Sequence, residues 1–232
     1  LSPTTPPKMT LSPSSSPTVT PLDLLVWGNP LSVSQPENNG NILTPLDTDT
    51  GGLAASAGSK YSIVIRATGK AHSTGFIENM DEYRGHLGLR PQDLKAGQNM
   101  FQEISRVFDP SLGGVTSPPK FKDVHAGVEN QEINGDIHTI LLDEDGNAWA
   151  TGSNYAGQLC LSDTDDRLIP ERIPMLTNIV DVAVGGAHTL LLDMEGNIWA
   201  CGSNQFGQLG LGEGLANTPS PVKLNALPGS SS

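Results

Sequence analysis

The sequence predicts an all-β fold made of a small antiparallel sheet that recurs along the chain. Glycine (26 of 232 residues, about 11%) and proline (18, about 8%) are in excess, and charged residues make up only 16%. Usual values are about 7%, 5% and 25%. One segment repeats at an offset of 50 residues, and each copy carries a glycine turn between two short apolar runs. These features favour many turns and short strands over helices.

The two ends of the chain differ from its middle. Residues 1–21 contain six Pro, five Ser and five Thr, so they have too little apolar surface to fold and predict a disordered leader. A glycosylated extracellular stalk is the functional alternative for this leader. Residues 229–232 are a similar loose tail. The repeat domain therefore spans residues 22–228.

The repeats are the most informative feature of the chain. Residues 182–212 read VAVGGAHTLLLDMEGNIWACGSNQFGQLGLG, and residues 138–161 read HTILLDEDGNAWATGSNYAGQLCL. The offset of 50 aligns five pairs: His138 with His188, Gly146 with Gly196, Trp149 with Trp199, Gly152 with Gly202, and Gly157 with Gly207. A weaker copy at 55–75 aligns at an offset of 127, its tail RGHLGL follows at 84–89, and a fourth trace is LLVWG at 24–28. The clear units are 53–90, 121–165 and 177–215.

Each unit predicts about four strands. HTLLL is a short apolar run typical of a strand that is buried on both faces. The turn at Gly196 leads to a second strand over 197–201, Gln208 to Leu211 forms another, and Ile179 to Val184 alternates well enough for one more. A sheet of this size is not stable alone, so the sheets must stack as a propeller or a solenoid.

GGAHTLLLDMEGNIWACGSNQFGQLGLG resembles the regulator of chromosome condensation repeat, in which Gly-x-x-His-Thr precedes an apolar strand and Gly-x-Asn-x-x-Gly-Gln-Leu-Gly closes the unit. The resemblance implies a β-propeller of four-stranded blades, with about three to four blades here of the usual seven, and hence a partial domain. This chain departs from the pattern at Cys160, which replaces a glycine, and at Tyr61 and His72, which replace the histidine and the aromatic residue. The segment that leads from the glycine of the motif to the histidine also has more residues before His138 than before His188.

The recurring side chains are predicted to be structural. A catalytic histidine need not recur in every unit, so we expect hydrogen-bonding or packing roles for His138 and His188. Trp149 and Trp199 recur in the same way and are expected in the core. Tyr155 and Phe206 lie within a glycine-bounded turn; they are expected to cover the edge of a blade, with partner contact as the alternative.

No pattern of ligands or nucleophiles points to catalysis. Asp47-x-Asp49-x-Gly51 begins like a calcium loop, but Gly58 stands where the loop needs Glu. The acidic residues 143–145 belong to a hairpin turn and 163–166 to a solvated loop. Cys160 and Cys201 fall at different points of their units, so the repeats give no support for a disulfide. We therefore expect no enzyme activity, no cofactor and no metal.

Two insertions interrupt the repeats. Region 76–120 contains the acidic residues Glu78, Asp81 and Glu82, a predicted helical turn at 92–95, and an apolar stretch, 101–108, expected to supply the first strand of the next blade. Residues 128–137 form the second insertion. Loops that depart from a repeated scaffold are where binding specificity usually resides, although a neutral surface excursion is the alternative.

These features favour a non-catalytic scaffold that binds a protein partner through its loops. Resemblance to the founding family member implies a second candidate, a guanine-nucleotide exchange factor for a small GTPase. The leader suggests a third, an extracellular or inhibitor-like propeller, since the family also contains an inhibitor of β-lactamases. The net charge of −12 argues against direct nucleic-acid binding, and no apolar run is long enough to span a membrane. A cytoplasmic or nuclear location is favoured, and self-association through open propeller edges is expected.

Overall fold

The structure, a computed structural model, describes residues 52–58, 61–75, 85–94, 102–128, 137–211 and 217–224. These residues form fourteen β-strands and one 3-10 helix, Pro91–Asp93, at the position of the predicted helical turn. None of their helices could cross a membrane. The leader at 1–21, the trace at 24–28, the acidic residues 47–49 and the tail at 229–232 lie outside the described residues.

The strands form three sheets. The first sheet has the order β1 (Gly52–Ala57), β2 (Tyr61–Arg66), β3 (Ala71–Gly75), β4 (Gln102–Glu103). The second sheet contains β5 (Val107–Asp109), β6 (Gly114–Thr116), β7 (Phe121–Ala126), β8 (His138–Asp143), β9 (Ala148–Gly152) and β10 (Arg167–Arg172) in the order β6-β5-β10-β9-β8-β7. The third sheet has the order β11 (Ile179–Val184), β12 (His188–Asp193), β13 (Ile198–Gly202), β14 (Thr218–Lys223).

The predicted four-stranded antiparallel unit is present in all three sheets, but one of its strands was predicted at the wrong place. Residues 208–211 form a turn, and β14 is the fourth strand of the third sheet. The central hairpin has the same register each time, since Tyr61 pairs with Gly75, His138 with Gly152, and His188 with Gly202. The weak first copy is therefore aligned as the sequence predicted. Its turn glycine, Gly69, has φ +81°, close to +78° at Gly146 and +82° at Gly196. Residues with side chains adopt this conformation at a cost, which explains the recurring glycine.

The prediction that residues 101–108 supply the first strand of the second sheet was wrong. The stretch 101–108 supplies β4, the last strand of the first sheet, and then β5. Strand β7 is the true first strand, and it matches β11 because each has a bulge at which an aspartate, Asp123 or Asp181, accepts a hydrogen bond from the next backbone N–H. The recurring Asp-Val was the sequence signal for this strand. The apolar stretch at 101–108 led to the wrong assignment because a short apolar run predicts a strand but not the sheet to which that strand belongs.

The second sheet also has six strands instead of four. The hairpin β5–β6 joins its outer edge, where β5 runs parallel to β10. An unpaired outer strand exposes a row of backbone donors and acceptors that can template aggregation. The hairpin therefore covers that edge of the second sheet.

Two apolar clusters fill the spaces between the stacked sheets. One contains Ile63 and Ile65 of the first sheet with Phe121 and Leu141 of the second. The other contains Ile140 and Leu142 of the second sheet with residues of the third, including Val182 and Leu191. Strand β8 contributes to both clusters, because successive side chains of a strand point to opposite faces. Its six residues are all buried, as the sequence predicted.

The same prediction was wrong for β12, although its sequence HTLLLD is nearly that of β8. Thr189 and Leu191 are buried against the second sheet, whereas His188, Leu190 and Leu192 are only half-buried. The difference lies in the neighbours, because β8 is packed between two of the described sheets and β12 faces one of them.

Two glycines at the same repeat position differ in how closely the neighbouring sheet packs against them. Gly157 and Gly207 occupy the same repeat position with φ +82° and +74°. A Cβ at Gly157 would lie 2.3 Å from Pro219 Cα of the third sheet, whereas a Cβ at Gly207 meets nothing within 4 Å.

We expect Gly207→Ala to lower the free energy of unfolding by about 1 kcal/mol through its backbone conformation alone. Gly157→Ala should cost at least about 3 kcal/mol because the third sheet must shift. Equal losses in urea unfolding would show that the two sheets are not packed in this way.

Candidate protein-interaction site

The loops gather at one end of the sheets. The loop end, as we name it, comprises the connections β1–β2, β7–β8 and β11–β12 together with the segments that follow β3, β9 and β13. The opposite hairpin end comprises the hairpins β2–β3, β8–β9 and β12–β13. Both insertions start at the loop end: region 76–120 begins directly after β3, with residues 76–84, and 128–137 lies between β7 and β8 in the chain.

Hydrogen bonds through one threonine tie the second and third sheets together at the loop end. His138 Nε2 lies 2.9 Å from Thr189 Oγ1, and the Thr189 hydroxyl donates to the carbonyl of Gln158 at 2.7 Å. Because the threonine proton is directed to Gln158, the histidine must donate from Nε2. All three residues are fully buried. We call this arrangement the threonine bridge.

The same bridge joins the first and second sheets with different chemistry. Tyr61 Oη lies 2.9 Å from Thr139 Oγ1, and the Thr139 hydroxyl donates to the carbonyl of His86 at 3.0 Å. Tyr61 stands where the other units have histidine, and His86 stands where the second unit has Gln158. The ring changes from imidazole to phenol, but the contact between the sheets is kept.

Burial holds the bridge in its neutral form. It lowers the pKa of His138 to about 3, with a smaller contribution in the same direction from His188. Burial also raises the pKa of Tyr61, against the opposing effect of its hydrogen bond to Thr139. His138 therefore stays uncharged at neutral pH and is committed to a structural contact. Burial lowers the pKa of His188 as well.

Side-chain caps shape the turns of the loop end. Asn154 Oδ1 accepts the N–H of Leu159 at 2.9 Å, and Gln158 Oε1 accepts the N–H of Ala156 at 3.0 Å. Asn204 and Gln208 make the same bonds in the third sheet. These contacts account for the recurring Asn and Gln of the repeat, because each satisfies a backbone donor that the turn leaves unpaired.

A second recurring contact lies at the hairpin end. Trp149 Nε1 donates to Asp143 Oδ2 at 2.9 Å, and Trp199 Nε1 donates to Asp193 Oδ2 at 3.0 Å. Trp149 is buried in the apolar cluster between the first and second sheets, and Trp199 is half-buried against the cluster between the second and third. The expected hairpin turn at 143–145 is confirmed.

The acidic loop at 163–166 is more ordered than the sequence suggested. Asp163 forms an ion pair with Arg167 and accepts a hydrogen bond from Asn154, and Asp166 caps the N–H of Asn154. Partial burial opposes ionisation of Asp163, yet the hydrogen bonds from Arg167 keep its pKa below the usual value. This loop is therefore fastened to the second sheet and is not simply solvated.

Phe206 does not cover the edge of a sheet as expected. Its side chain is 86% exposed, whereas Ala156, at the same repeat position in the second sheet, is fully buried. Tyr155 is 38% exposed. Phe206 is thus available for contact with another molecule, which is the alternative that the sequence left open.

The threonines of the bridge were missed by sequence reasoning. The signal was present in the recurring His-Thr dipeptide, which attracts attention to the histidine. Only the packing of adjacent sheets shows that the threonine carries both hydrogen bonds. Among the described residues, no group of three or more His, Cys, Asp and Glu side chains could hold a metal ion.

Replacing the bridging threonine tests its contribution. Thr189→Val keeps the shape of the side chain but leaves His138 Nε2–H and the Gln158 carbonyl buried without their partner. We expect a loss of about 2–4 kcal/mol in the free energy of unfolding, because each buried unsatisfied group costs about 1–3 kcal/mol. Thr164→Val, at an exposed position, is the control and should change stability by less than about 0.5 kcal/mol. A Thr189→Val loss as small as that of the control would contradict the bridge.

The pH dependence of stability tests the buried imidazole. Below pH 6.5 the unfolded chain protonates His138 while the folded chain, with a pKa of about 3, does not. The free energy of unfolding should therefore fall as pH is lowered from 6.5 toward 3, by up to about 1.4 kcal/mol per pH unit for this one proton. His138→Gln can still donate to Thr189 and should show a shallower fall in urea unfolding at pH 4.5–6.5. Parallel pH profiles for the two proteins would exclude this role.

Comparisons with known proteins agree with this architecture. The family model described as the regulator of chromosome condensation (RCC1) repeat matches residues 145–192 and 195–232, and a second model of the same description matches 179–208. The comparison with curated proteins finds no match.

Solved structures of similar fold include human WBSCR16, with a TM-score of 0.57 and 18% identity over 80% of this chain. Prp20p from Saccharomyces cerevisiae has a TM-score of 0.60 and 19% identity over 81% of the chain. Yeast RCC1 (Prp20), in a structure with Kap60, has a TM-score of 0.57 and 19% identity over 80% of the chain. The match covers 42%, 42% and 40% of those chains, so this chain spans about two fifths of their length. The matches identify residues 145–192 and 195–232 as regulator of chromosome condensation repeats, and the shared register and stacking of the three sheets are those of blades of a partial β-propeller.

Proposed function

We propose that the chain is a non-catalytic scaffold that binds a protein partner through the loop end. The observation that carries this proposal is the placement of both insertions. Residues 76–84 leave the first sheet and 129–136 leave the second, and each does so at the loop end. Two segments without a counterpart in the third unit thus start from adjacent sheets.

The points from which the insertions leave are held by buried contacts. Tyr61, which pairs with Gly75 at the start of the first insertion, donates to the carbonyl of His138 at 3.1 Å. The N–H of Gly127, just before the second insertion, donates to that same carbonyl at 2.9 Å. A binding loop is most specific when rigid elements position its ends. The threonine bridge supplies that rigidity.

The charge of the insertions favours a partner with a basic surface. Residues 76–84 and 129–136 together contain six carboxylates and one arginine (three of the carboxylates in each segment), and the whole chain has a net charge of −12. Complementary charge accelerates association and makes binding depend on salt. The structure of Prp20p is described together with its binding to Gsp1p and histones. Basic proteins are therefore a suitable first probe for this chain.

The structural role of the buried histidine supports a non-catalytic function. His138 is fully buried and its Nε2 is bonded to Thr189. A general base must reach the proton that it removes from a substrate, which this placement does not allow.

Guanine-nucleotide exchange remains the second candidate, favoured by the likeness to Prp20p. The third candidate, an extracellular or inhibitor-like propeller, depends on residues 1–21, which lie outside the described part of the chain. Self-association is supported by the half-buried face of β12 and by Phe206, which leave apolar surface available on the third sheet.

A loop-replacement experiment tests the proposed function. We expect the immobilised chain to bind core histones at low salt, and neutralising Glu78, Asp81 and Glu82 as Gln, Asn and Gln should weaken binding at least about tenfold. Replacing 129–136 by a Gly-Ser linker should do the same. Met175→Ser, 84% exposed between the second and third sheets, is the control and should bind as the unaltered chain does.

Unchanged binding after both loop changes would refute the loop end as the binding site. The unaltered chain and its two loop variants are then added to small GTPases loaded with fluorescent nucleotide. Faster nucleotide release that is lost with the loop changes would establish the second candidate, and an unchanged rate over a panel of GTPases would exclude it.

A further inference from the structure

The contact between the second and third sheets contains a covalent bond that the first contact lacks. Cys160 and Cys201 form a disulfide with a Cα–Cα distance of 5.4 Å, and both residues are fully buried. The repeats did not predict this pair, because the two cysteines occupy different points of their units. That difference is what the geometry requires, since one lies in the loop after β9 and the other in β13 of the next sheet.

Cys160 replaces a glycine whose backbone conformation it keeps. Its φ is +59°, compared with +68° at Gly88 and +66° at Gly210, the corresponding positions of the first and third units. Its N–H bonds to the carbonyl of Gly157, as the N–H of Gly88 bonds to Gly85. A side chain in this left-handed conformation is disfavoured because its Cβ lies too close to the following carbonyl oxygen. The cysteine is therefore a local disadvantage that its cross-link offsets.

Cys201 replaces a threonine that bonds across the corresponding contact. It faces Thr189 in the hairpin as Thr151 faces Thr139. The Thr151 hydroxyl lies 2.8 Å from the carbonyl of Gly85 in the preceding sheet. At the second contact Cys201 takes that place, with its sulfur 3.5 Å from the Gln158 carbonyl. A hydrogen bond between sheets has been exchanged for a covalent bond at the same location.

We propose that the Cys160–Cys201 disulfide is a redox-sensitive latch that holds the third sheet against the second. A dithiol reductant opens it: one thiolate attacks a sulfur of the pair and expels the other as a thiolate, and the second thiol of the reductant resolves the mixed disulfide. The protein gains two electrons and two protons as two thiols, and the dithiol becomes a disulfide. A small-molecule disulfide such as oxidised glutathione reverses the exchange.

Because both cysteines are buried, the disulfide can be reduced only when the second and third sheets separate. A thiolate can reach the sulfurs only when the contact between the sheets opens, so reduction reports that opening. Once reduced, Cys160 keeps the cost of its conformation without its cross-link, and the contact depends on the threonine bridge and the apolar cluster. Structural disulfides persist in oxidising compartments, and in a reducing compartment the latch would open whenever the sheets separate.

Chemical cleavage tests the pairing directly. Cyanogen bromide cuts after methionine; Met175 and Met194 lie between Cys160 and Cys201, and Met100 precedes both. Without reductant, peptides 101–175 and 195–232 should be found by mass spectrometry as one linked species, and reductant should release both. Separate peptides without reductant would overturn the proposal.

Thermal unfolding with and without a dithiol tests the latch. The bond closes a loop with a sequence separation of 41 residues, so reduction should lower the unfolding midpoint by about 10 °C. Hydrogen exchange should rise in β11–β13 and stay unchanged in β1–β3. The control variant, Cys160→Gly with Cys201→Thr, restores the residues of the first contact, Gly88 and Thr151, and its midpoint should not respond to reductant.

Equal responses of the two proteins, or an unchanged midpoint after complete reduction of the wild-type chain, would refute the latch. If the variant does not fold, alkylation settles the question on the wild-type chain. Both thiols should become labelled only after reductant, and β11–β13 should then lose protection from exchange. Labelling without reductant, or labelling that leaves protection in β11–β13 unchanged, would refute the proposal.

Discussion

The structure depends on a threonine hydroxyl shared by neighbouring sheets. Thr139 and Thr189 each donate to a loop carbonyl of the preceding sheet, and each hydroxyl lies 2.9 Å from a polar atom of a ring side chain of that sheet, Tyr61 Oη or His138 Nε2. These groups are buried, and none can turn to water if its partner is lost. The sheets are too small to be stable alone, so this bridge and the apolar clusters beside it hold the propeller blades together.

The bridge also links the scaffold to its proposed function. It lies at the loop end, beside the points from which both acidic insertions leave the sheets. The buried network of His138, Thr139 and Thr189 holds one geometry, and the insertions are free to differ in sequence from unit to unit. A repeated scaffold with variable loops separates stability from recognition, because the contacts of the threonine bridge are made by residues outside the insertions.

The two contacts between sheets keep the same geometry with different residues. A phenol in the first contact corresponds to an imidazole in the second, and a glycine and a threonine correspond to the two cysteines. A repeat position is thus defined by the contact that it makes across to the neighbouring sheet. The positions of Cys160 and Cys201 within their own units do not reveal that they pair. The pairing becomes clear when each cysteine is compared with the residue that takes its place in the first contact, Gly88 or Thr151.

Local features of the fold could be predicted because they depend on neighbours in sequence. The alternation of apolar residues, the turn glycines and the offset of 50 predict the hairpins and their register, which the structure confirms. The added hairpin β5–β6 and the disulfide could not be predicted in this way, because each depends on which segment lies beside another in space. Strands β8 and β12 show the division most clearly. The sequences HTILLD and HTLLLD by themselves determined that both would be central strands, and only the stacking of the sheets decided that β8 is buried on both faces while β12 is half-buried, since burial is a property of the neighbours that a strand acquires.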